Sequence, residues 1–268
     1  MKAKSGQSGL SLMEMTVVVA IVALLAVLAM PAVKALLGSF ETSGGAKCMI
    51  SAALSTARGI AAKEQHYAGV RFQKAYNPDD PDNLLSAPQY MIFIIHDAQM
   101  PSSDSPVNGF RAVDGLQPIK LPESIGVMDL RYDPDSGDGI VDNDAEAGNQ
   151  NVTRDTTSFS IVFSPSGKLI IHNVFVINRD GKKTSNTCND DIFNTLFNVT
   201  NGIGSFIQDK QVAGLQQESS RSSFIIYERE KFRQAYSKGR AWTDYLSRAA
   251  VEGRICVNPY TGTIISRD

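Results

Sequence analysis

Residues 10–31, LSLMEMTVVVAIVALLAVLAMP, constrain this chain more than any other stretch. Between Met15 and Met30 the sole polar side chain is Thr16, and the one charge nearby is Glu14. At about 1.5 Å per residue these twenty-two residues form a helix roughly 33 Å long, matching a bilayer hydrocarbon core of about 30 Å. The pattern predicts one transmembrane helix. Ahead of it, MKAKSGQSG carries Lys2 and Lys4 and no acid, and the next lysine is Lys34. The positive-inside rule then keeps the N-terminus cytoplasmic and sends the rest of the chain across. A secretory signal peptide would carry an apolar core of about 7–15 residues with a small-residue cleavage site after it. Here the small residue, Gly9, precedes the apolar run, so cleavage at that point removes the basic leader and leaves the helix attached.

The residues at the edges of this span have their own chemistry. Gly9 offers an uncluttered backbone to a membrane peptidase. Glu14 lies inside the apolar stretch, where a carboxylate is costly and marks a functional position, unless it snorkels to the headgroups. Pro31 removes an intrahelical hydrogen bond and either kinks or ends the helix.

Gly9, Leu10, Glu14 and Pro31, at this spacing at the head of an apolar helix, resemble the class III signal of type IV prepilins and pseudopilins. Leu10 stands where the family more often has phenylalanine, and Met13 and Met15 replace its usual aliphatics. The resemblance implies cleavage after Gly9 by a prepilin peptidase and N-methylation of Leu10. It also implies pairing of Glu14 with the new amine of Leu10 on a neighbouring subunit during filament assembly. It covers about the first thirty-five residues. Further on, STARGIAAKEQHYAGVRF, with Arg58 and Ala62 in a helix end followed by a valine strand, and FSPSGKL, where a phenylalanine strand meets a glycine turn, are similar to H-type minor pseudopilins.

The chain of 268 residues leaves about 220 beyond the span, enough for one large domain or two small ones with a sizeable core. Formal charge is −2, and removing the two leader lysines makes it more negative, so no basic excess points to nucleic acid. The cluster Lys231, Arg233, Lys238, Arg240, Arg248 and Arg254 reads as the solvated face of a helix. Three cysteines, Cys48, Cys188 and Cys256, are too few for a disulfide scaffold. In an oxidising compartment Cys188 and Cys256 could pair, and three separate thiols are the alternative.

Beyond the span, Gly38, Gly44 and Gly45 predict a bend. Residues 46–65 resume helical spacing with Met49, Ala53, Leu54, Ala57, Ile60 and Ala61 on one side. Strands are expected at 69–72, 90–96, 125–132, 158–163, 168–177, 224–227, 254–257 and 263–266. The turn Ser164-Pro165-Ser166-Gly167 makes the clearest hairpin. Helices are expected at 190–197 and, continuously, at 230–250. No internal repeat is visible. The expected fold is α+β and pilin-like: a long N-terminal helix, transmembrane in its first half, packed on an antiparallel sheet with loop insertions. The organisation is a cleaved leader at 1–9, a membrane and filament-core helix at 10–33, its periplasmic continuation at 34–66, and a β-rich periplasmic domain at 67–268.

No nucleophile elbow, phosphate loop, dinucleotide fingerprint or metal-protease helix is present, so the sequence gives no support to catalysis. His66, His96 and His172 are scattered along the chain, and the latter two read as structural histidines of apolar strands. Asp133, Asp135, Asp138, Asp142 and Asp144, with glycines between them, could place hard oxygen ligands around Ca²⁺. The run departs from an EF-hand loop, and a solvated acidic loop is the alternative.

Taken with the resemblance, these features lead to the expectation of a non-catalytic minor pseudopilin of a type II secretion system. It would sit in a bacterial inner membrane as a single-pass protein with a periplasmic domain, then enter a short periplasmic filament. Its partners would be other pilins or pseudopilins, the prepilin peptidase and an inner-membrane assembly platform. Two alternatives stand: a minor type IV pilin for adhesion, motility or DNA uptake, and a membrane-anchored periplasmic binding or enzyme domain.

Overall fold

The computed structural model describes residues 12–25, 43–77, 85–98, 109–132, 139–181, 190, 192–209, 215 and 217–266. The chain divides into two compact units, 1–40 and 41–268. In the first, residues 12–25 are helical (α1). The second is an α+β domain with mainly antiparallel strand pairing.

That domain opens with α2 (Ser43–Glu64), whose alanine content suits a helix that must approach a sheet closely. Ala46, Ile50, Ala53, Leu54, Ala57 and Ala61 recur at three- and four-residue spacing and are all buried, with Met49 and Ile60 at the margin. Gly44 and Gly45 lie inside this helix and do not interrupt it. Gln65, in the left-handed region at φ 56°, ends it.

The chain then enters β1 (Ala68–Lys74), β2 (Gln89–Asp97), β3 (Gly109–Ala112), β4 (Ile119–Lys120) and β5 (Ile125–Met128). After two short helices, α3 (Asp144–Ala147) and α4 (Gln150–Thr156), come β6 (Phe159–Phe163) and β7 (Leu169–Ile170). The main sheet runs β3-β2-β1-β6-β7, with β4 also on β2. Its register sets Val70 opposite both Phe93 and Ile161. Gly69 is needed there, because a Cβ would lie 2.2 Å from the carbonyl oxygen of Ile161. The expected hairpin is present: β6 and β7 pair through Ser164–Lys168, with Gly167 at φ 74°.

Strand alternation sends Ala68, Val70 and Phe72 of β1, Met91, Phe93 and Ile95 of β2, and Phe159, Ile161 and Phe163 of β6 into one core with α2. Phe72 stacks on Phe159 with ring centroids 4.8 Å apart. The opposite face is covered as well. There Ile92, Ile94 and Val162 meet Phe110, Val174, Val176, Ile192, Phe193 and Phe206. The covering segment carries β8 (Asn173–Val174), β9 (Phe193–Asn194), α5 (Leu196–Thr200), β10 (Phe206–Ile207) and β11 (Glu218–Ser219).

A second sheet, β14-β13-β12-β5, contains β12 (Ser223–Glu228), β13 (Arg254–Val257) and β14 (Ile264–Ser266). Phe224, Ile255, Val257 and Val127 turn toward α2, while Ile225, Tyr227 and Met128 pack against α6 (Arg229–Ser237) and the helical segment after it. Gln89 joins the two sheets: its amide donates to the carbonyls of Val127 and Thr157 at 2.7 and 2.8 Å, and its oxygen accepts from the Val127 N–H.

Several expected elements are redrawn. The continuous helix at 230–250 is broken into α6, a π-helical turn Trp242–Leu246, and α7 (Ser247–Glu252), because Gly239 takes φ 67° after α6. The helix expected at 190–197 is β9 followed by α5, which starts where Thr195 accepts from the Asn198 N–H as N-cap. The strand expected at 168–177 is two short ones, β7 and β8, and that at 125–132 shortens to β5.

Candidate functional site

The residues expected to carry function fall in three places. In α1 all fourteen described residues are exposed, and its large apolar side chains are 51–84% accessible. A helix apolar on every side needs lipid or other helices around it. Thr16 satisfies its hydroxyl locally by donating to the Met13 carbonyl at 2.9 Å, and Glu14 is exposed on the same helix. Among the described residues no helix is long and apolar enough to cross a membrane. Only 12–25 of the expected 10–33 span is described, and Gly9, Leu10 and Pro31 lie outside it.

The second place is the acidic run. Asp133, Asp135 and Asp138 lie outside the described residues. Asp142 accepts from Asn143 Nδ2 at 3.0 Å. Asp144 reaches across to the C-terminal helices: Oδ1 accepts from the N–H groups of Trp242 and Thr243 at 2.8 and 2.9 Å, and Oδ2 from the Thr243 hydroxyl at 2.5 Å. These bonds, the Thr243 hydroxyl first, hold its carboxyl below the usual range. Asp144 therefore acts as a helix cap at the point where α6 has ended. Among the described residues no three metal-ligating side chains converge. Of the other residues singled out from sequence, Cys48 is an exposed free thiol on α2 and Cys256 a half-buried one on β13, and Cys188 lies outside the described residues. The basic run around α6 is laced with acids: Lys231 pairs with Glu228, Arg233 with Glu230 and Arg240 with Asp244.

The third place was not anticipated. Arg71, mid-strand in β1 on the face away from α2, is 1% exposed. Its Nη2 donates to Asp209 Oδ1 at 2.6 Å and its Nε to Gln73 Oε1 at 2.7 Å, while Nη1 stands 3.9 Å from Glu218 Oε1. Asp209 Oδ2 also accepts from the Val176 N–H at 2.6 Å. Glu218 Oε2 accepts from Arg221 Nη2 at 3.1 Å, and Arg221 Nε faces Asp129 Oδ2 at 2.5 Å, an ion contact whose N–H is poorly aligned. Burial pushes the Glu218 carboxyl well up, against Arg221 and Arg71, and Asp155 and Asp209 add to the rise. Burial likewise raises Asp129 against Arg221 and Arg131. This chain of charges ties the covering segment to the main sheet. The one signal available in sequence was an arginine inside the strand AGVRFQK.

No protein-family model, curated protein or solved structure matches this chain. Arg58, singled out in the sequence, has a definite place in the fold. From α2 its Nε donates to the Gly167 carbonyl at 2.9 Å and its Nη1 to the Thr261 carbonyl at 3.0 Å. It fastens the β6–β7 turn and the Asn258–Thr263 turn to the N-terminal helix of the domain.

Proposed function

We propose that this chain is a non-catalytic pilin-like subunit, a minor pseudopilin of a type II secretion system. The observation that carries the reading is α1, apolar and exposed on every side apart from Glu14 and Thr16, in a chain whose folded domain begins with a helix striped for an antiparallel sheet. In this reading a prepilin peptidase cuts between Gly9 and Leu10, Leu10 is methylated, and Glu14 meets the amine of Leu10 on a neighbour. The helices of successive subunits then pack in the filament core, and residues 67–268 face outward. The motifs common to prepilins also suit a minor type IV pilin, which the same proposal keeps as its second form.

Calcium enters only in a reduced role, because the Asp144 carboxylate is taken by three donors of the C-terminal helices. Calorimetric titration with Ca²⁺ tests the remainder. Equal heats from wild type and an Asp135→Ala/Asp138→Ala double variant, or none from either, remove calcium from the proposal.

The decisive test is mass spectrometry of the mature N-terminus from cells with and without active prepilin peptidase. A methylated Leu10 that depends on the peptidase supports the subunit reading, and an intact Met1 in peptidase-positive cells overturns it. Deletion of the gene separates the two forms: exoproteins held in the periplasm with fibres intact place the subunit in secretion. Lost fibres with normal secretion place it in a pilus.

A further inference from the structure

The three histidines, far apart in sequence, share one corner of the folded domain. The rings of Tyr67, His96, Phe110 and His172 form a cluster, with centroids 4.7 Å apart for Tyr67–His172, 5.5 Å for His96–His172, 5.2 Å for His96–Phe110 and 5.6 Å for Phe110–His172. Tyr67 and the exposed His66 lie between α2 and β1, His96 near the end of β2, Phe110 on β3, and His172 between β7 and β8. The backbone at His172 is in turn bonded both ways to Ser220: its N–H donates to Ser220 Oγ at 3.0 Å, and its carbonyl accepts from the Ser220 N–H at 2.8 Å. Beside it β8 pairs with β11, Val174 opposite Glu218. The cluster therefore holds the start of the covering segment against the sheet.

We propose that this corner is a proton-operated latch: the neutral rings stack and hold residues 170–174 and 218–220 on the sheet, and protonation in mild acid releases them. His172 Nδ1 lies 2.7 Å from the Asn173 carbonyl, which can only accept, so Nδ1 carries the proton and Nε2 is where a second one adds. His96 Nε2 is buried and has no hydrogen-bond partner among the described residues. A cation at His96 faces the His172 imidazole and His66. The adjacent carboxylate, Asp97, is engaged at 3.1 Å by Arg111 of β3, which also contacts Asp114.

Burial first, then His172 and His66, hold His96 below the ordinary histidine range, with Asp97 opposing. The opened state therefore binds more protons than the closed one, so closure weakens as pH falls below the free-histidine value of about 6.5. In that window the opening constant rises up to about tenfold per pH unit for each linked proton. Glu218, whose carboxyl is raised, acts with the opposite sign, since acid favours its buried neutral form.

The test is hydrogen exchange by mass spectrometry on the full chain in detergent with EDTA, corrected for intrinsic rates, at about pH 7.5 and about pH 5.5. Wild type is expected to lose about tenfold of its protection in peptides covering 170–174 and 218–220, and His96→Phe, which keeps the ring but not the proton, to lose none. Equal responses in the two proteins, or no response in wild type, overturn the latch. Should His96→Phe fail to fold, ring-carbon NMR of wild type decides: a low, coupled His96 titration supports the latch, and three independent ordinary titrations overturn it. The latch rests on the folded domain alone, so its failure leaves the filament proposal standing.

Discussion

Replacing Arg71 with alanine should be among the most damaging single changes to this domain. The side chain is buried, and truncation removes two short hydrogen bonds, to Asp209 and Gln73, together with the cation that pairs with Asp209 and stands 3.9 Å from Glu218. Asp209 would keep its bond from the Val176 N–H and Glu218 its bond from Arg221, but the paired charge would be gone. Breaking a buried pair from one side costs about 3–5 kcal/mol, chiefly because the abandoned carboxylate stays desolvated. Urea unfolding of the full chain in detergent, followed by circular dichroism, gives the comparison. The loss should also depend on pH. In the variant the carboxyl of Glu218, already raised by burial, loses the opposing Arg71 charge and rises further, so between the ordinary carboxylate range and that raised value the folded state binds more protons than the unfolded one. Stability of Arg71→Ala should therefore fall as pH rises through that window more steeply than wild type does. Asp209→Asn in the Arg71→Ala background should recover part of the loss. A destabilisation below about 1 kcal/mol, the range of a solvent-exposed pair, would refute this account of the network.

Three further changes test the packing. Gly69→Ala places a Cβ 2.2 Å from a backbone oxygen of β6 that cannot move alone, so it should cost at least the about 1–3 kcal/mol of an overpacked core, read by the same unfolding assay. Gly59 is exposed inside α2 and a Cβ there meets nothing within 4 Å, so Gly59→Ala should stabilise by about 0.5–1 kcal/mol. A loss instead would show that the helix needs that freedom. Asp144 contributes stability above the ordinary carboxylate range that is lost as pH falls through its depressed value. Asp144→Asn should therefore flatten the acid limb of a pH titration, followed by the fluorescence of Trp242, the one tryptophan of the chain, whose N–H it caps.

How much of this was legible depends on whether a residue's partner is local or distant. The stripe of α2 and the hairpin around Gly167 were legible because spacing and turn chemistry act within a few residues. The run YMIFIIH was legible as a buried strand for a related reason: β2 is covered on both faces, so it loses the alternation that a one-sided strand would show. β1 does alternate. Ala68, Val70 and Phe72 against Gly69, Arg71 and Gln73 would ordinarily assign the second set to water, yet all six are buried. What reverses that assignment is Asp209, 138 residues further on, and no periodicity reports a partner at that distance. The charged run after Glu228 misled for the same reason. Its composition suits one helix, and the break comes from Gly239 together with a cap supplied by Asp144 from 98 residues upstream. His96 and His172, unconnected in sequence, meet beside Tyr67 because the start of β1, the end of β2 and the β7–β8 link share one corner. Short-range patterns thus specify the helix-on-sheet core. The segment covering its other face is fastened by buried charges and rings whose partners only the fold brings together, so pH should act most strongly on the part of the molecule that sequence explains least.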